Sequence, residues 1–183
     1  MSTNPKSQII PFPLPPYLAT FFSNQITTEP VLTKDGSKAK PFSVRRDSRF
    51  GEFLLRQLKK TNKPPVIKEG FTFFIEVSES QTNKNNSIAD GRSSFLNFSD
   101  EDFTAITSVF KNLFDSLLIE HVSAFIDGVK TENPDKKRGV QLAAILNFCK
   151  KYGVLFSDTN LMAWKKMLQR EFKKEKPNKI KVL

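Results

Sequence analysis

The sequence contains a single cysteine, Cys149, and a single histidine, His121. One thiol excludes an intrachain disulfide, and together the two residues fall short of the four N or S ligands of a closed zinc site. A reducing compartment and a cytoplasmic location are expected, with no cofactor and no metal. No stretch approaches the ~20 consecutive apolar residues that cross a bilayer. The opening MSTNPKSQIIPFPLPPYL lacks the unbroken apolar segment and small-residue cleavage site of a secretory signal. Nor does the chain hold a phosphate-cradling GxxxxGK[ST] loop, an HExxH pair or a GxSxG elbow.

The groups that remain for catalysis fit packing better than chemistry. His121 keeps step with an apolar stripe and reads as a structural histidine rather than a general base. Cys149 lies in another such stripe and reads as a small buried apolar residue. A nucleophilic thiolate, the alternative that Lys150 and Lys151 keep open, needs an exposed electropositive setting. The acids of SDED, Ser99–Asp102, serve a helix N-terminus more simply than a metal. The protein is not expected to be an enzyme.

What the sequence has in abundance is phenylalanine, 18 residues against 2 Tyr and 1 Trp, which favours a globular core of large flat side chains. Its 183 residues suffice for a core without covalent staples. It is also basic, with a net charge of +10 distributed unevenly. Residues 1–98 carry 14 basic and 8 acidic groups, 99–129 carry 1 and 6, and 130–183 carry 14 and 5. Such asymmetry is the mark of a polyanion-binding surface, although basic helices also serve simply as solvated faces.

Along the chain, prolines 5, 11, 13, 15 and 16 make residues 1–16 an extended Pro-rich tail, a docking strap or a disordered one. Residues 17–98 read as a small α+β portion. It opens on a short helix from Tyr17 and continues into two edge pieces around the Asp35-Gly36 turn. A helix over RFGEFLLRQLKK follows, capped by Asp47 or Ser48, with Phe50, Phe53, Leu54 and Leu58 on one face. Phe71, Phe73, Ile75 and Val77 then alternate with Thr72, Phe74, Glu76 and Ser78 as a strand, and a mobile polar loop is expected over 79–97.

Residues 99–176 read as helical. Ser99 caps a long helix whose stripe is Phe103, Ile106, Phe110, Leu113, Leu117, His121 and Phe125. A helix over KKRGVQLAAILNFCKKY presents Leu142, Ile145, Leu146, Cys149 and Tyr152, and Gly153 closes it in a left-handed turn. Ser157 caps a last helix that turns Leu161, Trp164, Leu168 and Phe172 inward, ahead of a basic tail, 177–183. The fold class is therefore α+β, helix-dominated, with a small edge hairpin and strand group, a long central helix and a C-terminal helical hairpin resembling a helix-turn-helix.

The charge has a local home. On the last helix Lys166, Arg170, Lys173 and Lys174 fall at steps of four, three and one, with Lys165 beside them, so an apolar side packs inward while a cationic side stays free to meet phosphates. Arg45, Arg46 and Arg49 form a second cluster at the start of a helix; the alternative is that they pair with Asp100, Glu101, Asp102 or Glu120. The linker GVLFSD is longer than a tight helix-turn-helix turn, and Asp158 occupies the helix start where a phosphate would otherwise sit.

The run AILNFCKKYGV, Ala144–Val154, followed by WKKMLQREFKK, resembles the C-termini of small uncharacterised basic proteins of prophages and mobile elements of Bacteroides-like bacteria. VRRDSRFGEFLLRQL is similar to their N-terminal part. The resemblance implies a mobile-element context and supplies no activity. A non-enzymatic nucleic-acid-binding accessory or regulatory protein is expected, DNA favoured over RNA. The alternative is a phage or mobile-element component that binds a protein partner, or its own copy, through the long helix and the Pro-rich tail. A basic helix lying on anionic lipid is the weakest reading, since the apolar side of the last helix is needed for packing.

Overall fold

The computed structural model describes residues 7–32, 38–45, 47–67, 73–78, 94–135 and 138–174. In chain order the elements are β1 (Ser7–Phe12), α1 (Pro16–Gln25), β2 (Val31–Leu32), β3 (Lys38–Ala39), β4 (Phe42–Ser43), α2 (Arg49–Gln57), β5 (Lys59–Thr61), β6 (Phe73–Ser78), β7 (Phe95–Asn97), α3 (Asp100–Glu132), α4 (Val140–Tyr152) and α5 (Asp158–Lys174). The fold is α+β and helix-dominated, as expected. It divides into two units, Met1–Lys111 and Asn112–Leu183, with the boundary inside α3.

In the first unit β6 is the middle strand of a three-stranded sheet ordered β1-β6-β4. β1 pairs antiparallel, Ile10 opposite Ile75 and Phe12 opposite Phe73, and β4 pairs parallel, Phe42 opposite Ile75. The alternation read in the sequence holds, since Phe73, Ile75 and Val77 are buried; Phe71 lies outside the described residues. Two expectations change. The Pro-rich stretch is not all tail, because Ser7–Phe12 form β1. An outer strand tolerates Pro11 with no N–H to donate, and Pro16 opens α1, where a helix has no use for that N–H. Of the loop expected over 79–97, residues 79–93 lie outside the described residues, whereas Phe95–Asn97 form β7 and pair with β5.

That second pairing also shortens α2. The helix ends at Gln57, and Lys59 and Lys60, expected within it, turn extended to face Asn97 and Leu96. β2 pairs antiparallel with β3, Val31 opposite Ala39, while the turn expected at Asp35-Gly36 lies outside the described residues. Ser48 is the N-cap of α2, its hydroxyl accepting from Gly51 N at 2.9 Å.

Phenylalanine rings organise the core of this unit around Phe110. Its centroid lies 4.8 Å from Phe22, 5.4 Å from Phe50, 5.4 Å from Phe73 and 6.3 Å from Phe12. Most of these contacts are edge-to-face, the arrangement a ring quadrupole favours. α1, α2 and the first turns of α3 thus cover one face of the sheet.

In the second unit α3 continues with Phe114, Leu118 and Val122 buried. The stripe of α3 therefore runs at steps of four, through Ile106, Phe110, Phe114, Leu118 and Val122, and the expected members Leu113 and Leu117 are exposed. Phe114 holds the other two helices, with Phe148 of α4 at 5.5 Å and Trp164 of α5 at 5.6 Å. α4 starts at Val140, four residues later than the sequence implied, because Gly139 takes a left-handed φ of 76° that a helix cannot continue through. Its buried face is Ala144, Ile145, Phe148 and Cys149, and Leu146, expected inside, is exposed. Gly153 ends the helix at φ 62°, as read from the sequence.

Candidate nucleic-acid interface

α5 owes its orientation to two residues. Trp164 and Leu168 are buried, and with Leu161 and Phe172 half-buried beside them they fix which side of the helix meets the rest of the unit. Ser157 sets where it begins, its hydroxyl accepting from Asn160 N at 3.2 Å. At roughly 100° per residue, Lys166, Arg170 and Lys173 then fall within about 60° of arc opposite Trp164 and Leu168. All three are exposed, and none makes an ion pair or hydrogen bond among the described residues. Lys165 is half-buried at the flank of this strip, and Lys174 closes the helix, its side chain outside the described residues.

The arginine cluster belongs to the first unit. Arg45 is exposed and grips Asp47 with two hydrogen bonds, Nη2 to Oδ2 at 3.0 Å and Nε to Oδ1 at 3.3 Å. That hydrogen bonding raises the guanidinium pKa above its ordinary value and lowers that of the Asp47 carboxyl. Of the alternative partners expected on the acidic helix, Asp102 is engaged elsewhere, accepting from Ser99 and facing Lys59 Nζ at 3.7 Å. Arg49 opens α2, exposed and without a partner among the described residues, and Arg46 lies outside them. Arg45 is thus committed to a local carboxylate, while Arg49 and the α5 strip have no partner among the described residues.

Compared with models of protein families, curated proteins and solved structures, the chain matches none. The site is therefore judged on its own geometry. His121 is a packed residue: Nε2 lies 3.0 Å from Asn147 Oδ1, and the ring meets Phe148 and Tyr152 of α4 at 5.4 and 6.2 Å. Cys149 is buried, and burial pushes its thiol above the ordinary value, away from the reactive thiolate. No group of three or more His, Cys, Asp or Glu side chains is placed to hold a metal among the described residues. No helix there is long and apolar enough to cross a membrane.

Three exposed apolar residues escaped the sequence reading. Leu155 and Phe156 sit in the linker before α5, and Met162 lies on its outward face one turn ahead of Lys166. The signal for Met162 was available, since residues 162, 166 and 170 are four apart. Leu155 and Phe156 carried none, because a linker has no period from which a buried side can be inferred.

Proposed function

We propose that this is a non-enzymatic nucleic-acid-binding protein of accessory or regulatory type, DNA favoured over RNA, acting in the cytoplasm. The observation that carries the reading is the exposed alignment of Lys166, Arg170 and Lys173, without a side-chain partner among the described residues, on a helix whose opposite side is anchored by Trp164 and Leu168. From Lys166 to Lys173 the helix rises about 10 Å, the length of about three phosphates at ~3.4 Å each along one strand of a duplex. Lys150 and Lys151 are exposed in the last turn of α4 and add to the positive charge of this unit. The mobile-element context implied by the resemblance belongs to the same proposal.

Binding of a labelled DNA across a salt series is the test. Three phosphate contacts give a slope of about −2.7 in log K against log salt. The triple variant Lys166→Glu, Arg170→Glu, Lys173→Glu abolishes binding. Affinity indifferent to salt, or intact in that variant, defeats the proposal.

A second reading is favoured by Leu113 and Leu117, 45% and 41% exposed and one turn apart on α3. Here α3 meets a protein partner or a second copy. Sedimentation without nucleic acid tests the second copy, since a monomer at high concentration excludes self-association, and a pulldown after nuclease treatment, repeated with Leu113→Glu, tests the partner.

A further inference from the structure

The other phenylalanines among the described residues are buried or half-buried, and Phe156 departs from that pattern. Among the described residues it is the phenylalanine with an exposed side chain, 44% accessible, and it makes no ring contact. It lies directly before the cap residue Ser157, at the end of α5 from which the exposed line Met162, Lys166, Arg170, Lys173 departs. Met162 is 58% exposed. The stretch from Phe156 to Lys173 therefore carries an exposed aromatic ring just before the helix, an exposed thioether in its second turn and a row of exposed cations beyond.

Three polyanion surfaces offer themselves to it. A helix lying flat on anionic lipid keeps apolar and cationic side chains on different faces. Met162 and Lys166 share a face, so lipid that covered the methionine would cover the charge. A helix read into a duplex groove needs donors or acceptors for base edges at its N-terminal end. Of the outward residues there, Met162 and Ala163 have nothing to offer a base edge, the Thr159 hydroxyl supplies a single polar contact, and the exposed carboxylate of Asp158 repels the phosphates alongside. Single-stranded nucleic acid presents bare base faces together with a phosphate chain, and sites for it combine an exposed aromatic ring with a cationic track.

We propose, on the basis of the nucleic-acid reading above, that this stretch takes a single-stranded segment, with one base stacked on the Phe156 ring at the start of α5 and phosphates further along the strand held by Lys166, Arg170 and Lys173. Met162 covers the apolar gap between ring and cations. The preference this creates is for unpaired over paired strands, with little regard to sequence.

The experiment measures fluorescence anisotropy of a labelled oligothymidine and of a blunt duplex of equal length, at one moderate salt concentration, with the full chain. The oligothymidine binds more tightly than the duplex. Phe156→Ala weakens the oligothymidine by about 5- to 150-fold, the range one stacked base supplies, and leaves duplex binding unchanged. Phe156→Leu, which keeps an apolar side chain before the helix, weakens it similarly, and Phe156→Trp preserves it. Circular dichroism and melting temperature confirm that the variants fold.

Oligothymidine binding that is salt-dependent and lost in the triple Glu variant, but unaltered in Phe156→Ala, overturns the stacking proposal and leaves the nucleic-acid reading standing. Failure of the wild type to bind either probe overturns both. Flotation with phosphatidylserine vesicles that depends on Phe156, without oligothymidine binding, reassigns the face to lipid and overturns the proposal.

Discussion

The side-chain amide of Gln8 stands in for a strand: Oε1 accepts from Leu96 N at 3.0 Å, and Nε2 donates to Ser94 O at 2.9 Å. β1 and β7 belong to different sheets, and this one residue satisfies a backbone N–H of β7 and the carbonyl just before it in the way a neighbouring strand would. Its two contacts span 86 and 88 residues of chain. The first unit therefore depends on it to join the three-stranded sheet to the β5–β7 ribbon.

Gln8→Leu keeps the volume and removes both partners, leaving a part-buried N–H and C=O unsatisfied. A loss of about 1–3 kcal/mol is expected, read from the midpoint of urea unfolding. A variant as stable as the wild type would show that water serves Leu96 N equally well.

Two glycines on helices should respond to alanine with opposite signs. A Cβ on Gly51 would lie 1.9 Å from the backbone O of Arg45, so Gly51→Ala must displace backbone at the start of α2. At Gly128, exposed on α3, nothing lies within 4 Å, and Gly128→Ala gains about 0.5–1 kcal/mol from helix propensity. Thermal melting of the two variants distinguishes them, and a gain at Gly51 contradicts the close approach to Arg45.

Asp102 gives the start of α3 a defined acid sensitivity. Partial burial raises its pKa, but hydrogen bonds from the Ser99 hydroxyl and backbone, together with Lys59, outweigh burial and hold it below 3.8. With the folded value below the unfolded one, the carboxylate adds stability that is present above the ordinary aspartate value and is lost as the pH falls through the lowered one. As the pH falls from the ordinary aspartate value through the lowered one, then, the wild type should lose stability more steeply than Asp102→Asn. Parallel pH profiles would remove the cap from the account.

Phe114 and Leu117 lie three residues apart on α3 and differ in burial. Phe114→Ala removes the ring that Phe148 and Trp164 share and is expected to cost about 3–5 kcal/mol, with a shift in Trp164 emission. Leu117→Ala, on the exposed side, should change stability by less than about 1 kcal/mol. Equal losses would restore the stripe expected from the sequence.

That stripe shows where sequence reasoning reached its limit. Apolar residues sit at both 113 and 114 and at both 117 and 118, so a period between three and four fits two faces equally well. Only the rings of Phe148 and Trp164 select Phe114. On α5 there was no such ambiguity: Trp164 and Leu168 stand opposite Lys166, Arg170 and Lys173, and the free side followed from the pattern alone.

Local signals placed the helices and several of their ends: Ser99 and Ser157 as caps, Asp47 or Ser48 as a third, of which the structure takes Ser48, Gly153 as a left-handed stop, and the alternating strand at Phe73–Val77. These follow from residue chemistry within a few positions, and the sequence states them directly. The pairing of β4 with β6, the capture of Lys59–Thr61 by β7, the role of Gln8, and the exposure of Phe156 and Leu113 were decided by the tertiary structure. Each depends on groups tens of residues away or on which of two possible faces finds a partner, and neither is written into a local period.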